Sequence, residues 1–167
     1  EAIVPELRLP DSLAVRYIFP HAPMRAVTIN GGLVMRAWFD IYDVELTADS
    51  IDRDQFRQSA DMVTALIQNE LRSGMAAERI VLAGFSQGVA IVLHTGLHYE
   101  KKLAGILAMS MHLPTVTQSA AEFSSAAIQV PIMIAHGQSD PVIPLPKANE
   151  TRQSLGDLGF AVDWHEY

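Results

Sequence analysis

No cysteine occurs among the 167 residues, which excludes disulfides, zinc–thiolate sites and a cysteine nucleophile. Basic residues are also few. Lys and Arg total 12 against 19 Asp and Glu, for a formal net charge of −7, and they form no block. Nucleic acid is therefore not an expected partner. Long apolar runs are missing too: the longest are strand-length or broken by polar residues, short of the roughly 20 residues that span a bilayer, so no transmembrane helix is expected. The chain opens on Glu1-Ala2-Ile3-Val4-Pro5 without a basic-then-apolar leader, and no signal peptide is read there. A cytoplasmic location is the resulting expectation. Because the sequence starts without Met and stops on Tyr167 at the close of a strand-like segment, it reads as one domain, 1–167, cut at both ends.

Hydrophobic residues make up 49% of the chain, enough for one continuous core. Val15-Arg16-Tyr17-Ile18-Phe19 is β-rich and stopped by Pro20, so it predicts a strand leaving into an irregular loop that runs through Gly31-Gly32. Phe56, Ala60, Val63, Ile67 and Leu71 fall at helical spacing before Gly74. Ile80-Val81-Leu82-Ala83 predicts a short strand covered on both faces, and the almost wholly apolar stretch from Gly88 to Leu97 predicts a helix packed deep on a sheet. Leu103 to Met109, Val130 to Ala135 and Ala161 to Tyr167 read as further strands. Residues 114–127 read as a loop, and Ala148, Thr151, Leu155 and Leu158 share a helix face ended by Gly159. This alternation predicts an α/β fold: a mostly parallel sheet with helices on both faces and ligands gathered at the carboxyl ends of its strands.

One motif falls at such an end. Gly84-Phe85-Ser86-Gln87-Gly88 matches G-x-S-x-G directly after a predicted buried strand and directly before a predicted buried helix. A nucleophilic serine there sits on a tight, strained turn that needs small residues two before and two after it. The helix aims unpaired N–H groups at the same spot, making the Gln87 N–H one donor to an oxyanion. A chance match with a helix-capping serine is the plainer alternative, and the strand-to-helix context weighs against it. In this architecture the acid and then a histidine follow the serine, and Asp140 fits the second place, in the loop His136-Gly137-Gln138-Ser139-Asp140-Pro141 after a later strand. The plainer alternative is a solvated Asp-Pro turn.

Of the six histidines only His165 follows Asp140, and it lies inside a predicted strand rather than past its end. His21 and His136 read as structural, His94 and His98 belong to a helix and its end, and His112 precedes the acid. The general base is therefore expected outside these residues.

Several separated motifs together resemble the carboxylesterase and acyl-protein thioesterase family, also called the phospholipase/carboxylesterase family of small α/β-hydrolases. They are His21-Ala22-Pro23, Val27-Thr28-Ile29-Asn30, Trp38-Phe39-Asp40-Ile41, the Ser86 motif, Leu103-Ala104-Gly105, and His136-Gly137 with Asp140-Pro141-Val142-Ile143-Pro144. The resemblance implies an α/β-hydrolase fold lacking its first strands and C-terminal segment, with Ser86 as nucleophile, Asp140 as acid and Gln87 as oxyanion donor. It also implies a second oxyanion donor upstream and a base just past Tyr167. Met35, Trp38 and Val142 become candidate acyl contacts, with plain packing as the competing role of each. Val89 departs from the family, where many relatives place another glycine, and is expected to crowd the helix start without removing chemistry.

The implied reaction is hydrolysis of small-molecule esters of short to medium acyl chains through an acyl-serine, with no metal or organic cofactor. Thioesterase or lysophospholipase activity, and non-catalytic binding on the same scaffold, are the alternatives. Homodimerisation is left open by the resemblance alone.

Overall fold

The structure is a computed structural model, and it describes residues 3–43, 47, 49–111 and 123–167. Its strands are β1 (Met24–Val27), β2 (Leu33–Arg36), β3 (Val81–Phe85), β4 (Gly105–Met109), β5 (Ile132–His136) and β6 (Val162–Glu166). Its helices are α1 (Arg53–Arg72), α2 (Gln87–His98) and α3 (Leu145–Asp157). Strands β3 to β6 form a parallel sheet in chain order, as expected where a returning segment must connect each strand to the next. Of the expected loop 114–127 only 123–127 are described, leading into a 3-10 turn at Ala127–Gln129; residues 112–122, His112 included, lie outside the described residues.

The parallel register sorts side chains into two rows. Leu82, Ile106, Ile132 and Val162 align across the sheet, with Gly84, Ala108, Ile134 and Trp164 in the same row's next layer. Helix α2 packs on this face. A Cβ added to Gly96 would lie 2.5 Å from Ile106 Cδ1, so the missing side chain is what lets the helix approach. Helix α3 belongs to the same face, since the Arg152 guanidinium stands 5.3 Å from the centre of the Trp164 ring. Helix α1 packs against α2 through Phe56, Val63 and Ile67, and its start is fixed by Asp52, whose carboxylate accepts from the Gln55 N–H at 2.9 Å.

Three expectations are corrected. The opposite row of the sheet, with Val81 59% and Phe85 65% exposed, carries no helix among the described residues, so β3 is covered on one face only. A continuous apolar run cannot by itself distinguish one covered face from two. Residues 15–19 form no strand: Val15, Ile18 and Phe19 are exposed and no ladder partner lies beside them among the described residues, and β propensity without pairing does not make a strand. The stretch read as an irregular loop is instead the antiparallel hairpin β1–β2, turned by Thr28–Asn30 with Gly31 and Gly32 at φ 68° and 78°, left-handed values that glycine adopts without strain. No described helix is long and apolar enough to cross a membrane.

A series of ring contacts runs through the α1–α2 seam, edge-to-face with centroids 5.1 Å apart for Phe56–His94 and tilted at 37° with centroids 4.3 Å apart for His94–His98. Burial first, then the neighbouring His98 and Arg57, pushes the His94 pKa down from 6.5 to about 4. In the unfolded chain this imidazole binds a proton near its ordinary pKa, whereas the folded protein resists protonation until about pH 4. Stability from His94 is thus complete above 6.5 and is lost as pH falls from 6.5 to about 4. Denaturant midpoints of the protein and of His94→Gln, measured across that window, should show a steeper decline for the histidine form; parallel curves would contradict this assignment.

Candidate active site

Strand β3 ends at Phe85 and α2 begins at Gln87, so Ser86 alone makes the turn, at φ 50° and ψ −122°. That left-handed value is costly for a side-chain-bearing residue and persists only where its surroundings enforce it. Here the Ser86 N–H donates to the Met109 carbonyl at 2.9 Å and the Ser86 carbonyl accepts from the Val89 N–H at 2.9 Å. A Cβ on Gly84 would come within 2.7 Å of the Gly88 backbone and the Val89 nitrogen, so glycine is required there. At Gly88 a Cβ would meet only Trp38 Nε1 at 3.6 Å, ordinary contact, so the expected need for a small residue is relaxed on that side. Val89, the departure from the family pattern, is wholly buried in the core.

As the first residue of α2, Gln87 has an N–H without an intrahelical acceptor. Its side chain does something the sequence did not reveal. The Oε1 atom accepts from the Trp38 N–H and Nε2 donates to the Phe39 carbonyl, both at 2.7 Å, tying the elbow to a segment 49 residues away. That segment is held at further points: the Ser59 hydroxyl donates to the Trp38 carbonyl, Gln55 Oε1 accepts from the Asp40 N–H at 2.9 Å, and Asp40 accepts from Thr28 N–H and hydroxyl at 2.6 Å. Trp38 is thereby anchored beside the serine turn.

The acid loop leaves the end of β5. Asp140 Oδ1 accepts from the N–H groups of Val142 at 2.9 Å and Ile143 at 3.0 Å. These two donors, Ile143 first, hold the Asp140 carboxyl below the usual carboxylate range against the opposing effect of burial. It is a fixed carboxylate rather than a freely solvated turn residue. Strand register brings the loop toward the elbow, since Phe85 pairs with Met109, Met109 with Ala135, and His136 with Glu166. Ser86, Ser110 and the 137–140 loop therefore leave adjacent strands at the same end of the sheet.

Among the described histidines none hydrogen-bonds to both Ser86 and Asp140. His136 is fully buried, accepts at Nδ1 from the Met111 N–H at 3.2 Å and donates from Nε2 to the Ile143 carbonyl at 2.9 Å, which fixes one neutral tautomer. It stands 3.9 Å from Asp140 but supports the loop. His165 lies within β6, on the uncovered row of the sheet, where its Nε2 meets Asp163 at 2.9 Å. His94 and His98 belong to the α1–α2 seam, beside a cavity of about 340 Å³ that none of the candidate site residues lines.

The candidate acyl contacts separate. Trp38 is half-buried and joined to Gln87, whereas Val142 is 77% exposed and joined through its N–H to Asp140. Met35 sits on the exposed hairpin against Asn30, and no hydrogen bond links it to the serine. No cluster of three or more His, Cys, Asp or Glu among the described residues could hold a metal ion.

With this geometry in hand, comparison with known proteins is direct. The Phospholipase/Carboxylesterase family profile matches residues 9–167. Acyl-protein thioesterase 1 of Gibberella zeae is 38% identical over 160 residues, covering 92% of this chain and 68% of the relative. The protein of the same name from Neurospora crassa is 37% identical over 164 residues, covering 92% and 65%. This chain thus spans about two thirds of the length of these curated relatives. Among solved structures, SOBER1 of Arabidopsis thaliana superimposes with a TM-score of 0.82 at 30% identity over 90% of this chain and 72% of that one. Acyl-protein thioesterase 2 of Zea mays gives 0.72 at 25% identity, over 89% and 70%.

Proposed function

This chain belongs to the phospholipase/carboxylesterase family of α/β-hydrolases, and we propose that the protein hydrolyses acyl thioesters through an acyl intermediate on Ser86. The strained backbone of Ser86 between β3 and α2 carries this reading, because a merely structural turn gains nothing from a side chain at φ 50°. Ser86 Oγ attacks the carbonyl carbon, the Gln87 N–H donates to the oxyanion, and the thiol leaves with a proton. Water then attacks the acyl-serine and releases the acid. Asp140 orients and charge-stabilises the imidazole that moves these protons, a histidine placed downstream of Tyr167.

The sequence alone put oxygen esters first. The names of the relatives shift the preference to thioesters. The reading keeps, from the sequence and its family resemblance alone, short to medium acyl groups taken from solution rather than from a lipid interface, and the cytoplasm as the place of action. The test is a set of thioesters and oxygen esters matched in acyl chain, given to the full-length protein. A higher kcat/KM for the thioester at each matched length is expected. A consistent preference for the oxygen ester would restore the carboxylesterase reading, and activity only on micelles would favour a lysophospholipase.

A further inference from the structure

Helix α2 starts without the fastening that a helix start ordinarily receives. Its N-cap residue is Ser86, and the Ser86 hydroxyl makes no capping bond, being the group assigned to the nucleophile. The N–H of Gln87 has no acceptor among the described residues. That N–H and the Ser86 carbonyl belong to one rigid peptide plane. Val89 holds the carbonyl edge of the plane, its N–H donating to Ser86 at 2.9 Å, but does not fix the corner at the Gln87 Cα. A donor that must meet an oxyanion without reorganising needs that corner fixed as well.

We infer that the Gln87 carboxamide is a positioning group for its own backbone N–H, supplying through Trp38 and Phe39 the fastening that the Ser86 hydroxyl does not give. This rests on the reading of Ser86 as nucleophile and of the Gln87 N–H as oxyanion donor. The carboxamide clasps two successive residues of a distant segment: Oε1 accepts from the Trp38 N–H and Nε2 donates to the Phe39 carbonyl, both at 2.7 Å. One end of the amide accepts and the other donates, so a carboxylate of the same length could satisfy Trp38 but not Phe39. A clasp positions only if what it grips is itself fixed. The gripped segment is held from its other side by α1 and the hairpin. The Ser59 hydroxyl donates to the Trp38 carbonyl, Gln55 Oε1 accepts from the Asp40 N–H at 2.9 Å, and Asp40 Oδ1 and Oδ2 each accept from Thr28 at 2.6 Å. The Asp52 N–H adds a bond to the Asp40 carbonyl at 3.0 Å. The indole lies beside the same turn, with Trp38 Nε1 3.6 Å from where a Gly88 Cβ would stand. The first turn of α2 is thus gripped at Gln87 and backed at Gly88, and the peptide plane bearing the donor is held at both ends.

The test uses full-length protein. Gln87→Met keeps the length of the side chain and removes both bonds. Gln87→Glu keeps an acceptor for Trp38 and sets a second carboxylate oxygen against the Phe39 carbonyl. Both leave the backbone N–H in place, so one remains interpretable if the other folds poorly. On one acyl thioester each should lower kcat about tenfold, less than the loss of about 10²–10³ that follows when an oxyanion donor is removed outright. KM should stay within about twofold, since the Trp38 segment keeps its other anchors. The readout that a merely structural role would not move is the split between two inhibitors. A trifluoromethyl ketone takes the Ser86 oxygen at its carbonyl carbon, the hydroxyl proton passing to the base, and places an oxyanion against the Gln87 N–H. Its affinity should fall about tenfold, in step with kcat. A thioether analogue of the substrate, which has no carbonyl, should bind both variants as it binds wild type. Wild-type kcat in both variants, or equal losses of affinity for the two inhibitors, would overturn the inference. Ser86→Ala, run alongside, separates the two levels: if it is inactive while both Gln87 variants turn over as wild type, only the clasp is misassigned, whereas retained activity would remove the Ser86 reading itself.

Discussion

Ser86→Ala should reduce turnover of the full-length protein by roughly 10⁴-fold or more, with KM little changed, because the covalent route disappears while the binding surface stays. The structure makes this substitution unusually clean. Alanine keeps the Cβ that the strained turn already carries, and the bonds enforcing the turn, Ser86 N–H to Met109 and Val89 N–H to Ser86, both use backbone atoms. Fold and elbow should therefore survive, so a lost rate reports the hydroxyl. Thermal midpoints of the two proteins should coincide within a few degrees. Kinetics on a matched thioester series and a thermal melt together check the result.

Asp140→Asn should cost about 10⁴-fold in kcat, the scale seen when a triad acid loses its charge but keeps its shape. Asparagine is preferable to alanine because its carbonyl oxygen can still accept from Val142 and Ile143, which preserves the loop. Its amide group sits where Oδ2 was and donates instead of accepting, so an imidazole N–H meets a donor and the tautomer needed for catalysis is disfavoured. The stability effect is separate. The Asp140 carboxyl is held below its ordinary range, so its contribution to stability is present above the unfolded pKa and is lost as pH falls through the lower, folded value. The asparagine protein should lack that acid-side loss. A kcat within tenfold of wild type would mean that Asp140 serves the loop alone.

Much of this site could be read from residue order because each signal was local. The G-x-S-x-G motif between an apolar strand and an apolar helix specifies its own backbone, and β3, Ser86 and α2 follow within 18 residues. Strands β4, β5 and β6 were legible for a similar reason, each being a short apolar or β-rich run in an alternating pattern. The hairpin was hidden because its strands are four residues each and mostly exposed, so no alternation marks them, and Gly31-Gly32 suggests a loop as readily as a turn. Val15 to Phe19 misled in the opposite direction, having the composition of a strand but no pairing strand among the described residues. Contacts between distant segments were beyond reach altogether. The Gln87 clamp on Trp38 and Phe39 and the meeting of Ser110 with Tyr167 join segments 48 or more residues apart, which no spacing in the sequence reveals.

The central claim is that an acyl group is carried on one particular oxygen, and covalent trapping tests it most directly. Full-length protein is treated with a fluorophosphonate, digested and mapped by mass spectrometry. A single adduct on the peptide containing Ser86, absent from Ser86→Ala, is the predicted result. An adduct on another residue, or labelling that persists unchanged in Ser86→Ala, would contradict it.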